Sequence, residues 1–216
     1  MSETSPPSPQ DQDQHAAQGH HGAHHQGETV KAYTQRGVSL DPIQRMQRWV
    51  ERVVIGENLC PFARPSLRRG GFDMQVSDAT TLDEAYRDTL TYLTSFLEPQ
   101  ADRLDSGLLV FSRALDDFEE YLDCLSACEE ALITLELEGV IQLASFHPRY
   151  LFADTDPDDP AHWTNRSPLP GIHILRESRV SAALDSVPHP ELIPERNIAH
   201  LRTITPEALK RLFIDL

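Results

Sequence analysis

The order of strand-like and helix-like stretches predicts an α/β domain: a mixed sheet of about four strands, built as a β-α-β-α-β core plus a fourth strand, with flanking helices. Three observations carry this. Phe72–Val76, Gly107–Phe111, Val140–Phe146 and Ile172–Leu175 are short runs of strand length and composition. The stretches that join the first three place leucines and aromatics at helical spacing. Once a polar N-terminal stretch is set aside, about 175 residues remain, enough for one domain with a core and short of what two normally use.

The elements follow in order. Asp41 before Pro42 is a helix start, with a side-chain acceptor at the cap and a proline where its missing N–H costs nothing. Ile43, Met46, Trp49, Val50, Val53 and Val54 continue this helix to Gly56. Pro61 disfavours helical geometry at Cys60, which places that thiol in a turn after the helix. Thr81 and Glu84 have the spacing of a capping box, and Leu82, Tyr86, Leu90, Leu93 and Leu97 share the buried side of the helix they open. Asp116 with Glu119 opens a third helix carried by Phe118, Leu122, Leu125, Leu132 and Leu135, with Gly139 as its C-terminal glycine. This alternation argues for parallel strands joined by crossovers.

Beyond the third strand the periodicity fails. His147 to Gly171 contains prolines 148, 157, 160, 168 and 170, and an excursion of this length in a compact domain is usually functional or disordered. Phe152, Tyr150 and Trp163 are apolar anchors within it. Helical stretches follow the fourth strand near Val180–Leu184, Pro194–Leu201 and Pro206–Phe213. Residues 1–40 are rich in Ser, Pro, Gln, Gly and His and read as a disordered tail, leaving 41–216 as the single domain.

Charge narrows the function classes. The chain has 216 residues and a formal charge of −15, of which the first 41 residues contribute only −3. All but two of the 19 bases, Lys31 and Lys210, are arginines, and they are scattered among acids. No nucleic-acid partner is expected, because phosphate neutralisation needs a basic stripe. No membrane partner is expected either, since no apolar run approaches spanning length and the N-terminus lacks the apolar region of a signal peptide. A cytoplasmic protein is the expectation, with a small-molecule ligand as its possible partner and the oligomeric state open.

Several residues could carry chemistry, each against a simpler role. His147 ends the third strand, where ligands collect in open α/β sheets, and could act as acid, base or metal ligand. It could equally cap the strand by bonding a backbone carbonyl. Asn165, Arg166 and Ser167 lie where the excursion turns back, close in sequence to His173 and Arg176. Period 2 points His173 away from Ile172 and Ile174, so His147, His173 and Arg166 could converge if strands three and four are neighbours. Such a group suits a small carboxylate or phosphate, unless Arg166 and Arg176 pair with the many acids.

Cys60 could be a nucleophile beside an imidazole, although the end of a helix has the wrong dipole for a thiolate, or it could pack under Phe62. Cys60, His147 and His173 have the ligand types for a divalent metal, but no metal is firmly implied and the cofactor is unknown. Cys124 and Cys128, one turn apart, read as small buried hydrophobes. Asp154, Asp156 and Asp158 imitate the start of a calcium loop without its glycine or terminal glutamate. Five of the ten histidines lie in the tail, where a flexible Gly-His-His run offers no fixed metal geometry. Asn197, inside the helix opened by Pro194 and Glu195, could reach a neighbouring site.

Trp49-Val50-Glu51, Val54-Ile55-Gly56, Asn58 through Ala63, Gly139 through Pro148, Asn165-Arg166-Ser167-Pro168 and Pro194-Glu195-Arg196-Asn197, taken in order, resemble the bacterial domain of unknown function 1415 family over about residues 43–215. The resemblance implies that these motifs belong to one domain, and it supplies no reaction. The reading of the residues is therefore an enzyme acting on a small anionic or polar metabolite at a Cys60, His147, His173 and Arg166 cleft. The alternative is a binding or adaptor protein that uses the proline-rich loop 147–171.

Overall fold

A computed structural model describes residues 40–214, so the expectation of a disordered tail lies outside the described residues. The described residues form an α/β domain around a four-stranded mixed open sheet. Asp41 caps helix α1 (Pro42–Trp49) and accepts from the Gln44 amide, while Gln44 reaches back to the Asp41 amide. The helix then widens into a π-helical segment, Val50–Ile55. A short helix that the periodicity missed, α2 (Ala63–Arg69), follows and ends on Gly70 at φ +67°, a conformation that favours glycine.

Strand β1 (Phe72–Ser77), helix α3 (Leu82–Leu97), strand β2 (Ser106–Phe111), helix α4 (Phe118–Thr134) and strand β3 (Ile141–Phe146) come next. Strand β4 (Gly171–Arg176), α5 (Glu177–Leu184), α6 (Ile193–Leu201) and α7 (Pro206–Ile214) complete the domain. Two helix ends differ from expectation. Asp117, not Asp116, caps α4 by accepting from the amides of Glu119 and Glu120. That helix stops at Thr134, and Gly139 serves instead the turn into β3 at φ +75°.

The sheet order is β1-β2-β4-β3, with β1 and β2 parallel and β4 antiparallel to both of its neighbours. Strands β1, β2 and β3 run in the same direction, as the alternation predicts, but β3 pairs with β4 rather than β2, because the long excursion brings β4 back between them. Helices α3 and α4 cover one face, where Leu109, Phe111, Ile172 and Ile174 meet Tyr92, Phe96, Tyr121 and Cys124. Cys124 and Cys128 are buried in this layer as small hydrophobes. On the other face Leu108 and Val110 pack with Met46, Trp49, Val53, Leu201 and Leu209. Both faces are thus apolar and covered, so the face that carries His173 is a second core rather than a polar surface.

The excursion between β3 and β4 is ordered by its own side chains. His162 is fully buried, its Nδ1 accepting from the Phe152 amide at 3.0 Å and its Nε2 donating to the Asp156 carbonyl at 2.8 Å. Asp159 caps the turn Pro160–Thr164 and pairs with Arg202 at 2.6 Å. Trp163 packs edge-on against Phe213, with ring centres 4.7 Å apart.

Candidate functional site

The strand register separates the two histidines. His173 on β4 lies level with Leu108 on β2 and Ala144 on β3, and all three side chains share one face. His147 follows Phe146 and falls on the other face, between the rings of Phe118 and Tyr121, each 5.1 Å away. Strands three and four are neighbours, yet the two imidazoles do not converge.

His147 is fully buried and satisfied. Its Nδ1 accepts from the Arg149 amide at 3.0 Å, so the proton resides on Nε2, which donates to the Leu115 carbonyl at 3.0 Å. Burial lowers its pKa and keeps it neutral. With both nitrogens bound to backbone, neither has a lone pair to offer a metal.

His173 contrasts with it. Its Nε2 is buried with no hydrogen-bond partner, and its ring lies among aromatics, 6.1 Å from Phe72 and 6.0 Å from Phe146 between centres. Desolvation pushes its pKa down to about 4, so the ring is neutral at physiological pH. It lines a cavity of about 570 Å³ with the sheet as its floor, and this volume is typical of a small-molecule site. Leu108, Ala144 and Leu175 supply apolar floor around His173. Trp49 and Val54 close one side, and Val180 and Ala183 of α5 close another.

Cys60 is on the same wall. Its amide donates to the Val54 carbonyl at 3.4 Å, which ties the turn to the end of the π-helical segment. Its sulfur accepts from the amides of Phe62 and Ala63 at the start of α2, which lowers the thiol pKa, but burial is the larger effect and raises it. The resting group is therefore a protonated thiol. The dipole argument from sequence needs amendment, because Cys60 leads into α2 as well as following α1.

Trp49 is the other residue with an unsatisfied group. Its ring is almost wholly buried, stacks edge-on to Phe146 at 4.9 Å, and leaves the indole Nε1–H unpartnered. Among the described residues, Trp49 Nε1 and His173 Nε2 are the buried side-chain nitrogen or oxygen atoms that lack a partner, and both residues line this one cavity. At its exposed edge stand Arg69, Arg179 and Asp105, the charged residues of the lining.

The other predicted site residues lie elsewhere. Arg166 donates Nε to the Tyr150 carbonyl at 3.2 Å and stacks over Trp163 at 5.0 Å, and it is not part of the cavity wall. Arg176 lies over the Phe96 ring at 4.5 Å and donates to the carbonyls of Leu104, Phe96 and Ala101. Ser167 donates to the Leu169 carbonyl at 2.6 Å. Asn165 donates to the Ser145 carbonyl at 3.0 Å, and Asn197 to the Leu59 carbonyl at 2.6 Å. Asn165, Asn197 and Cys60 line a second hollow of about 380 Å³ that shares Val54, Cys60 and Phe146 with the first.

Among the described residues no group of three or more His, Cys, Asp or Glu is arranged to hold a metal ion. Cys60, His147 and His173 do not form the metal site that their residue types allow, because His147 faces away with both nitrogens engaged. No helix of the described residues is long and apolar enough to cross a membrane. Sequence reasoning missed Trp49, which reads as core from its helical spacing, and Arg69, Asp105 and Arg179, which carry no motif.

No curated protein and no solved structure matches the chain. The model of one protein family, described as a protein of unknown function, DUF1415, matches residues 41–211. With its mixed sheet and cavity spanned by that match, the chain belongs to the DUF1415 family.

Proposed function

We propose that this domain is an enzyme whose substrate is a small molecule with an apolar body, held in the cavity over β4, and that Cys60 and His173 are its reacting groups. The observation that carries the reading is the coincidence on one cavity of two unpartnered buried nitrogens, Trp49 Nε1 and His173 Nε2, with a thiol. A buried polar group without a partner costs about 1–3 kcal/mol, which a bound molecule can recover by supplying the missing partner. The indole N–H offers a fixed donor. The imidazole is neutral but, with a pKa of about 4, a weak base in the empty cavity; it takes the proton that Cys60 loses once the bound molecule brings the two groups together and the sulfur bonds to its electrophilic carbon.

The reading moves the chemistry from the predicted Cys60, His147, His173 and Arg166 cleft to Cys60, His173 and Trp49. The adaptor alternative draws less support, because Trp163, its aromatic anchor, packs on Phe213 within the domain.

Thiol labelling tests the proposal. N-phenylmaleimide, an apolar electrophile, adds through a sulfur–carbon bond while the thiol proton ends on the neighbouring carbon of the ring. Intact-mass analysis of the native chain is expected to show one adduct, at Cys60, because Cys124 and Cys128 are buried in the α3–α4 layer. His173→Gln is expected to slow the addition about a hundredfold, at the low end of what a positioned base supplies. Absence of a Cys60 adduct, or equal rates in the two proteins, overturns the assignment of the pair.

A further inference from the structure

Building on that cavity reading, we infer that the bound molecule is an amphipathic anion, its apolar body lying over β4 and its single carboxylate or similar oxyanion head held by Arg69 and Arg179 at the mouth.

The charge distribution is the first support. The cavity lining contains two guanidiniums and one carboxylate, an excess of one positive charge, in a chain whose formal charge is −15. The side chains of Arg69 and Arg179 are 59% and 46% exposed, so both reach solvent where a head group enters, while the Asp105 side chain is 15% exposed.

The second support is that the arginines are anchored without being used up. Asp105 is gripped by the Ser66 hydroxyl at 2.8 Å and by Arg69 at 2.6 Å, and its other oxygen lies 3.9 Å from Arg179 Nε. Arg179 also donates to the Asp102 carbonyl at 3.1 Å. Gly71 makes room for the carboxylate, since a Cβ there would fall 2.2 Å from Asp105 Oδ2. Each guanidinium nevertheless keeps most of its N–H donors, and an oxyanion is the group that matches a planar fork of donors.

The third support is the contrast beneath the mouth. The floor and walls are mainly aliphatic and aromatic, which favours a hydrocarbon or aryl body over a sugar or a nucleotide. Lipid headgroups and nucleic acids would need a wider basic surface than two arginines beside an aspartate.

The test uses the full chain with Trp163→Phe, so that fluorescence reports Trp49, the other of the two tryptophans. The protein is titrated at pH 7.5 with decanoate and with decanol, which share an apolar body and differ in charge. Decanoate is expected to change the Trp49 emission with one-to-one stoichiometry and to bind about tenfold more tightly than decanol, the factor a charge-assisted hydrogen bond supplies. The preference is expected to vanish in the Arg69→Gln, Arg179→Gln double variant, while decanol, which has no charge for the guanidiniums to hold, binds as it does to the parent chain. Equal or stronger binding of decanol overturns the anionic head and leaves the cavity reading standing. If neither molecule binds, the cavity reading itself falls.

Discussion

His173 in β4 and His147 just past the end of β3 should respond to the same substitution with opposite signs. In His173→Phe a buried nitrogen that has no partner is replaced by carbon, among the rings of Phe72 and Phe146 and beside open cavity. The expected gain is the cost of one unsatisfied buried polar group, about 1–3 kcal/mol at pH 7, or a rise in Tm of several degrees for a domain of this size. The gain should grow in acid. The folded His173 has a pKa of about 4 against an ordinary 6.5, so the unfolded chain takes up its proton first and the wild type loses stability as pH falls from 6.5 toward 4. That loss approaches ~3 kcal/mol by pH 4, and His173→Phe does not incur it. His147→Phe should instead strand the buried Leu115 carbonyl and take the acceptor from the partly buried Arg149 amide, and destabilise by about 1–3 kcal/mol. Urea unfolding of both variants, followed by far-ultraviolet circular dichroism from pH 7.5 to pH 4.5, measures all of this. Destabilisation by His173→Phe of more than about 1 kcal/mol would show that the ring nitrogen has a structural partner, and would remove the main argument for the cavity as a binding site.

Tyr121 joins the two strand ends beside the excursion, its hydroxyl donating to the Gly171 carbonyl at 2.9 Å and accepting from the Phe146 amide at 3.0 Å. Tyr121→Phe should therefore cost about 2–4 kcal/mol in urea unfolding, and a loss below about 0.5 kcal/mol would mean that water replaces the hydroxyl. Burial raises the Cys60 thiol, so its alkylation by iodoacetamide should reach half-maximal rate at a higher pH than an ordinary cysteine in the unfolded chain. A half-point at or below that of the unfolded thiol would show that the amides of Phe62 and Ala63 outweigh burial.

Much of the architecture is legible in the residues because it rests on local signals. Asp41 with Pro42 and Thr81 with Glu84 mark helix starts through hydrogen bonds made within four residues, and the structure contains both caps. Four strands are visible as short runs with strand composition. Their order is not, because the position of β4 between β2 and β3 depends on how a 24-residue connection, Glu-poor and proline-rich, closes on itself through His162 and Asp159. Helix α2 escaped notice for a local reason: Ala63–Arg69 contains one large apolar residue, Leu67, which is itself exposed, so no apolar stripe marks it.

The candidate site was legible only in part, and the reason is how polar residues spend their hydrogen-bonding capacity. His147, Asn165, Ser167, Arg176 and Asn197 all looked chemical as polar side chains set among prolines and strand ends. Each of them donates to a backbone carbonyl left over where the chain leaves regular structure. Buried carbonyls outside sheets and helices need such partners, so a chain with a long irregular excursion recruits many polar side chains for architecture alone. Residue type and sequence position cannot separate these from residues with capacity to spare. The strand register can, because one residue's step along β3 or β4 decides which face a side chain joins: His147 enters the layer of Tyr121, where backbone groups await it, and His173 enters the layer of Trp49, where they do not. The unspent nitrogens are what distinguish the cavity from the rest of the interior, and they belong to one histidine that the sequence nominated and one tryptophan that it assigned to the core.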